Sequence, residues 1–113
     1  MTAGKFSPAD AVAAFPADPA AMRFAYVLQH GTMTLGLYAQ TGEDRQQPHR
    51  QDELYVVVSG SADFVKEGER VACKPSDVLF VEAGKDHRFE NISEDFSTWV
   101  VFWGPESGDA MAA

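Results

Sequence analysis

The sequence contains one cysteine, Cys73, among 113 residues. A single thiol excludes any disulfide within the chain and favours a reducing compartment, so a cytoplasmic location is expected. Cys73 lies in a strand-like run with no obvious base beside it. This context predicts a small buried hydrophobic residue rather than a reactive thiol.

Basic residues are also few, because 9 Lys and Arg stand against 17 Asp and Glu and give a formal net charge of −8. The chain has no basic stripe to neutralise phosphates, which argues against nucleic acid and anionic membranes as partners. No apolar run approaches the length that crosses a bilayer, and the first five residues lack the apolar core of a secretory signal. The remaining expectation is one globular domain with a single core.

Residues 1–23 predict one short helix followed by a connection. Ser7 suits the N-cap position, and Pro8 suits the first helical position. Asp10 falls in the first turn, where the helix dipole favours a negative charge, and Pro16 forbids continuation. A helix of about two turns is not stable alone, so it must pack on the rest of the domain.

Residues 24–105 change to short strands separated by turn signals, and residues 106–113 are predicted to form a tail. Strands are predicted at 24–29, 32–39, 54–58, 62–65, 70–73, 78–81, 87–90 and 97–103. Within the second strand Gly36 predicts a bulge or a close backbone approach. Strands at this short, regular spacing predict an all-β sandwich or barrel.

Three residues of types that bind divalent metals occur near turns that lead into predicted strands: His49, Glu53 and His87. Two imidazoles and one carboxylate leave coordination positions open, which is typical of a catalytic rather than a structural site. In an extended chain His49 and Glu53 would lie about 13 Å apart. A shared site therefore requires the segment before Glu53 to curl back over the strand end. The alternative is a solvated His49–Glu53 loop pair and an ordinary turn histidine at position 87.

The stretch 42–60 resembles the first motif of the cupin family, which is a glycine, then His-x-His, three or four residues, Glu, six residues and Gly. Glu53 stands six residues before Gly60, as in the motif, and His49 falls at the position of the second histidine. Gln47 occupies the position of the first histidine.

The stretch 76–91 is similar to the second motif of that family, Gly-x5-Pro-x-Gly-x2-His-x3-Asn. Gly84, His87 and Asn91 match it at the family's spacing, and Asn91 is interpreted as a turn residue. Ser76 and Glu82 replace the first glycine and the proline.

The resemblance implies an all-β cupin-type double-stranded β-helix, a jelly-roll barrel, with one short N-terminal helix and often a homodimer. It also implies a divalent transition metal (Fe, Zn, Mn or Ni) held by His49, Glu53 and His87. Gln47 is predicted to be a weak fourth ligand or a hydrogen-bonding neighbour of the ligands. Tyr55 shares the face of Glu53 and is a candidate catalytic acid or substrate contact, although a core aromatic is the alternative.

Two functions from different classes follow from this resemblance. The first is a metal-dependent enzyme acting on a small polar molecule, such as a dioxygenase, isomerase or decarboxylase. The second is a non-catalytic barrel that binds a small ligand with a degenerate or metal-free site, and a structural dimer with a vestigial site is a further alternative. Apolar residues 99–103 are predicted to form the core or a dimer contact. The arginines beside the motifs either attract an anionic substrate or are solvated loop residues: Arg45, Arg50 and Arg88.

Overall fold

The structure is a computed structural model and describes residues 4–44 and 47–108. These residues form one helix and eight strands: α1 (Pro8–Ala13), β1 (Phe24–His30), β2 (Met33–Tyr38), β3 (Asp52–Ser59), β4 (Ala62–Lys66), β5 (Glu69–Cys73), β6 (Val78–Val81), β7 (His87–Glu90) and β8 (Ser97–Trp103). Every predicted strand is present, with bounds shifted by two residues or fewer. The predicted all-β class is confirmed.

Helix α1 begins as its sequence predicts. The Ser7 hydroxyl accepts a hydrogen bond from the backbone N–H of Asp10, and the Asp10 carboxylate accepts one from the backbone N–H of Ser7. Ala11 is fully buried where the helix packs on β1 and β2. The helix is thus held by tertiary packing. No helix in the described ranges is long and apolar enough to cross a bilayer.

The strands form two antiparallel sheets, a five-stranded sheet in the order β1-β2-β8-β3-β6 and a three-stranded sheet in the order β5-β4-β7. Both sheets contribute to one core cluster: Tyr38, Tyr55, Val57, Ala62, Phe64, Cys73, Val81, Phe89, Phe96, Val100 and Phe102. Aromatic rings join the two sheets, since Tyr55 of β3 packs edge-to-face on Phe89 of β7 with centroids 5.0 Å apart. The site described below lies at one end of this core.

Strand β3 shows the alternation expected of a half-buried strand. Glu53, Tyr55 and Val57 are buried, whereas Leu54 and Val56 are only partly buried. Tyr55 therefore shares the buried face of Glu53, as predicted. This alternation places the Glu53 carboxylate inside the barrel.

Strand β2 is buried on both faces at its end. Its sequence alternates, with Met33, Leu35, Leu37 and Ala39 predicted on one apolar face. Leu37 and Tyr38 are adjacent, yet each is 1% exposed. Leu37 lies on the outer face beside α1, whereas Tyr38, on the opposite face, belongs to the core between the sheets.

Gly36 fulfils both predictions made for it. A Cβ atom at Gly36 would lie 2.5 Å from Cζ of Phe24, which is a close approach. Opposite Gly36, the register of β1 shifts between Tyr26 and Leu28, which is a β-bulge. The bulge and the missing side chain let the Phe24 ring lie over the strand.

Cys73 is 3% exposed, and its thiol donates a hydrogen bond to the Ala62 carbonyl. Burial raises the pKa of the Cys73 thiol. The prediction of a small buried hydrophobic residue is confirmed.

The chain that follows β8 runs beside the segment that leads into β3. The backbone N–H of Ser107 donates to the Arg50 carbonyl at 2.7 Å, and Gly108 lies close to the Asp52 carboxylate. Residues 109–113 of the predicted tail lie outside the described part of the chain.

Gly60 and Gly68 provide a matched test of the close approach at the end of β3. Both have positive φ, but a Cβ at Gly60 would lie 2.6 Å from the backbone N of Phe96, whereas a Cβ at Gly68 meets nothing within 4 Å. Gly68→Ala should lower the free energy of unfolding by about 1–2 kcal/mol through left-handed backbone strain alone. Gly60→Ala should cost about 1–3 kcal/mol more because the Phe96 backbone must move. Urea unfolding measures both, and equal losses would show that the contact does not matter.

Candidate metal centre

Three predicted ligands, His49, Glu53 and His87, lie together inside one end of the barrel. Each offers a ligand atom, and these atoms lie within 4.8 Å of one another. Nε2 of His87 is 2.8 Å from Oε1 of Glu53, and Nε2 of His49 is 3.9 Å from the same oxygen. Glu53 comes from β3 and His87 from β7, so the cluster joins the two sheets.

The segment before β3 makes the bend that a shared site requires. Residues 47–51 are not part of a strand, and the His49–Glu53 distance is 3.9 Å rather than the span of a straight strand. The His49 carbonyl accepts a hydrogen bond from the Gly84 N–H at 2.7 Å. The Gln51 side-chain amide donates to the carbonyls of Thr32 and Gly104. Three other parts of the chain thus fix the bend.

The Glu53 side chain is fully buried. Neither carboxylate oxygen accepts a hydrogen bond of normal geometry from any residue that the structure describes. The short contact between His87 Nε2 and Oε1 is therefore close but poorly aligned. A buried carboxylate without hydrogen bonds is costly unless a cation lies beside it. The environment of Glu53 fits a positive charge held between the carboxylate and the two imidazoles.

His87 is oriented by a backbone group. Its Nδ1 lies 2.9 Å from the Lys85 carbonyl, which only accepts, so Nδ1 carries a proton and Nε2 faces Glu53. Burial disfavours the charged ring, but the Glu53 carboxylate and the Lys85 carbonyl outweigh it and raise the pKa of His87. Metal-binding histidines commonly donate their second ring N–H in this way.

His49 is half-buried, and its ring packs edge-to-face on Phe102 with centroids 4.8 Å apart. Burial lowers the pKa of His49, with a smaller contribution from His87, and the nearby Glu53 opposes this only in part. The ring is therefore neutral at neutral pH. Neutral imidazole is the form that binds metals.

Tyr55 and Gln47 also lie near the cluster. Tyr55 is fully buried, and its hydroxyl lies 3.0 Å from Nε2 of His87. Gln47 is exposed and lines, together with His49, a cavity that opens beside the cluster.

Asp44 has a role that the sequence analysis missed. Its carboxylate accepts one hydrogen bond from the Tyr38 hydroxyl at 2.6 Å and another from the Phe89 N–H at 2.7 Å. These bonds tie the loop that leads to His49 onto β2 and β7, and the Asp44 charge also favours protonation of His49 and His87. Asp44 and Phe89 are 45 positions apart, so no local pattern could indicate the contact.

The remaining residues singled out in the sequence lie on the surface or in turns. Arg50 is exposed beside Glu106, Arg88 pairs with Glu90, and Glu82 pairs with Lys66. Arg45 lies outside the described residues. Asn91 has a φ of +50° and is a turn residue, as predicted.

Two antiparallel sheets with a histidine–glutamate cluster between them are typical of a double-stranded β-helix protein. The three clustered residues are of types that could hold a metal ion. Residues 34–103 match the family described as the cupin domain. The chain belongs to the cupin family, and the resemblance drawn from the two motifs is confirmed.

Several proteins are similar to this chain in sequence or in fold. An uncharacterised protein of Streptomyces coelicolor is 43% identical over 95 residues, which cover 80% of this chain and 90% of that protein. A double-stranded β-helix protein of Klebsiella pneumoniae matches with a TM-score of 0.70 and 19% identity, covering 88% of this chain and 89% of that one. A DMSP lyase of Ruegeria pomeroyi matches with a TM-score of 0.65 and 18% identity, covering 74% of this chain and 47% of that one. The fold therefore does not determine the reaction.

Replacing Asp44 with alanine tests the anchoring of this loop. The variant leaves the Tyr38 hydroxyl and the Phe89 N–H without their acceptor, which should lower the free energy of unfolding by about 1–3 kcal/mol. Hydrogen exchange at the Phe89 amide should also become faster. Asp86→Ala, at an exposed turn position, is the control and should change neither quantity. Unchanged exchange in Asp44→Ala would show that the loop is held by other contacts.

Proposed function

We propose that this cupin binds one divalent transition metal ion through His49, Glu53 and His87, and that the metal-bearing site binds or transforms a small molecule. The observation that carries this proposal is the Glu53 carboxylate, which is fully buried, lacks well-formed hydrogen bonds from the described residues and faces two imidazole nitrogens. A metal of the iron, zinc, manganese or nickel type would supply Lewis acidity, or redox chemistry in the case of iron.

Each of the three residues has a property that suits metal binding. The Lys85 carbonyl holds the His87 ring with Nε2 toward Glu53. His49 is kept neutral by burial, and Glu53 contributes the negative charge that a divalent ion requires. Three protein ligands would leave further coordination positions for a small molecule.

Tyr55 and Gln47 complete the proposal. The Tyr55 hydroxyl lies against His87 Nε2 inside the barrel, so any proton that it donates stays within the site. This position supports a role for Tyr55 as an acid or a hydrogen-bond donor at the metal centre. Gln47 stands where the family has a histidine, which supports a role as a weak ligand or as a hydrogen bonder to a bound molecule.

Metal content tests the proposal directly. Protein purified without chelator and reconstituted with iron, zinc, manganese or nickel should hold about one equivalent of metal, as expected for a single three-ligand site. His49→Ala, His87→Ala and Glu53→Gln should each lose most of it, because two protein ligands bind far more weakly than three. Elemental analysis of the desalted proteins gives the result.

His30→Ala is the matched control, since His30 lies at the exposed end of β1 and should keep its metal. Gln47→Ala distinguishes the two roles of Gln47. Loss of a metal ligand lowers the affinity for the metal, whereas loss of an amide that contacts only the bound small molecule leaves this affinity unchanged. Absence of metal from the wild-type protein after all four reconstitutions would overturn the proposal. The barrel would then be treated as a metal-free ligand-binding protein.

We also propose that the protein forms a homodimer through the outer face of β3, β6 and β8. In the sheet register, Val78 lies beside Val56, and Phe80 lies beside Leu54. Val78 is 59% exposed and Phe80 is 45% exposed. The strand pairing continues from Val56 to Trp99. An apolar sheet face of this kind is a typical contact surface.

Sedimentation equilibrium at micromolar concentration should give twice the chain mass of 12.3 kDa. Phe80→Asp should shift the protein to monomer, because it places a charge in the contact. Val71→Asp, at a similarly exposed apolar position on β5 in the other sheet, should remain dimeric. A monomeric wild-type protein would contradict this proposal.

A further inference from the structure

A cavity of about 320 Å³ opens beside His49, on the side of the cluster formed by β1, β2 and β8. Its walls include Met22, Phe24, Tyr26 and Phe102, and its polar groups include Gln47 and His49. Small-molecule sites in proteins are commonly of this size, with apolar walls and a few polar groups. Because His49 belongs both to the cavity and to the ligand cluster, a molecule in the cavity lies next to the metal centre.

Aromatic rings form opposite parts of the wall. Phe24 and Tyr26 pack edge-to-face with centroids 4.7 Å apart, and Phe102 packs on the His49 ring. Tyr38 also lines the cavity, but its hydroxyl already donates to Asp44, so the ring presents carbon atoms to the interior. The space therefore favours a flat apolar group that contacts rings on several sides.

The polar groups in the cavity are few. Gln47 contributes an amide and His49 an imidazole. No lysine, arginine, aspartate or glutamate is among the described residues that line it. A sugar would leave most of its hydroxyl groups without partners here.

We propose that the small molecule bound at this site is a single-ring aromatic compound, with its ring between Phe24, Tyr26 and Phe102 and its one polar atom at the His49 end. The inference rests on the proposed function, because the metal beside His49 gives the polar atom its partner. It narrows the expectation of a small polar molecule to one with an apolar body.

Phenol is the probe for this cavity, with methyl glucoside as a polar comparison. Titration calorimetry on the metal-loaded protein should show saturable phenol binding, at least about tenfold tighter than that of methyl glucoside, a difference of about 1.4 kcal/mol. Tyr26→Ser removes one aromatic wall at a position that is 57% exposed, so the fold should tolerate it. This variant should bind phenol about two- to tenfold more weakly, as expected for one lost aromatic contact.

Val71→Ser, at an exposed position on β5, is the control and should bind phenol as the wild-type protein does. Equal or tighter binding of methyl glucoside, or undiminished phenol binding by Tyr26→Ser, would overturn the inference. The metal content of each variant, measured in parallel, separates the two proposals. If the metal-loaded protein does not bind phenol, only the cavity inference is contradicted. If the protein binds phenol but no metal, only the metal proposal is contradicted.

Discussion

The buried carboxylate of Glu53 is the constraint around which this barrel is arranged. A negative charge in a closed interior is unfavourable by several kcal/mol unless a cation compensates it. The two sheets meet this requirement jointly, since β3 carries the carboxylate and β7 brings the His87 imidazole to 2.8 Å from it. The register of both sheets and the bend before β3 place groups that can hold a positive charge around one side chain.

A proton and a metal ion would satisfy Glu53 in different ways. Burial disfavours a charged His87 ring, but the Glu53 carboxylate and the Lys85 carbonyl together outweigh burial and raise the pKa of His87, which favours a proton on this ring. A proton on Nε2 of His87, however, can lie between only one nitrogen and one oxygen. The His87–Glu53 contact is also poorly aligned for a hydrogen bond. A divalent ion can be shared by both imidazoles and the carboxylate at once. The arrangement of His49, which a proton on His87 does not require, therefore argues for the metal.

Local patterns in the sequence predicted the parts of the structure that depend on interactions between residues close in sequence. Ser7 and Asp10 form the capping box because its partners are three residues apart, and Asn91 adopts positive φ because its side chain tolerates a turn. The alternation of β3 likewise follows from a strand with one buried face. The two cupin motifs indicated which residues converge, which strand periodicity alone could not do. In β2 the alternation did not indicate that α1 would cover Leu37 from outside while Tyr38, on the opposite face, enters the core.

The bend at residues 47–51 shows why the geometry of the site could not be derived from the sequence. Pro48 restricts its neighbour, but the bend is held by groups far along the chain, such as the Gly104 carbonyl, 53 positions from Gln51. The same holds for Asp44, whose partners lie on β2 and β7.

The proposed metal site and the proposed ligand cavity draw on different strands. The charged cluster depends on β3, β7 and the bend, whereas the aromatic cavity depends on β1, β2 and β8, and the two share His49. Phe24 and Tyr26 are not among the three clustered ligand residues, so substitutions at these positions leave the proposed metal ligands in place. A barrel built in this way could keep its proposed metal ligands while the molecule that its cavity accepts changes, which is consistent with a fold that does not by itself determine function.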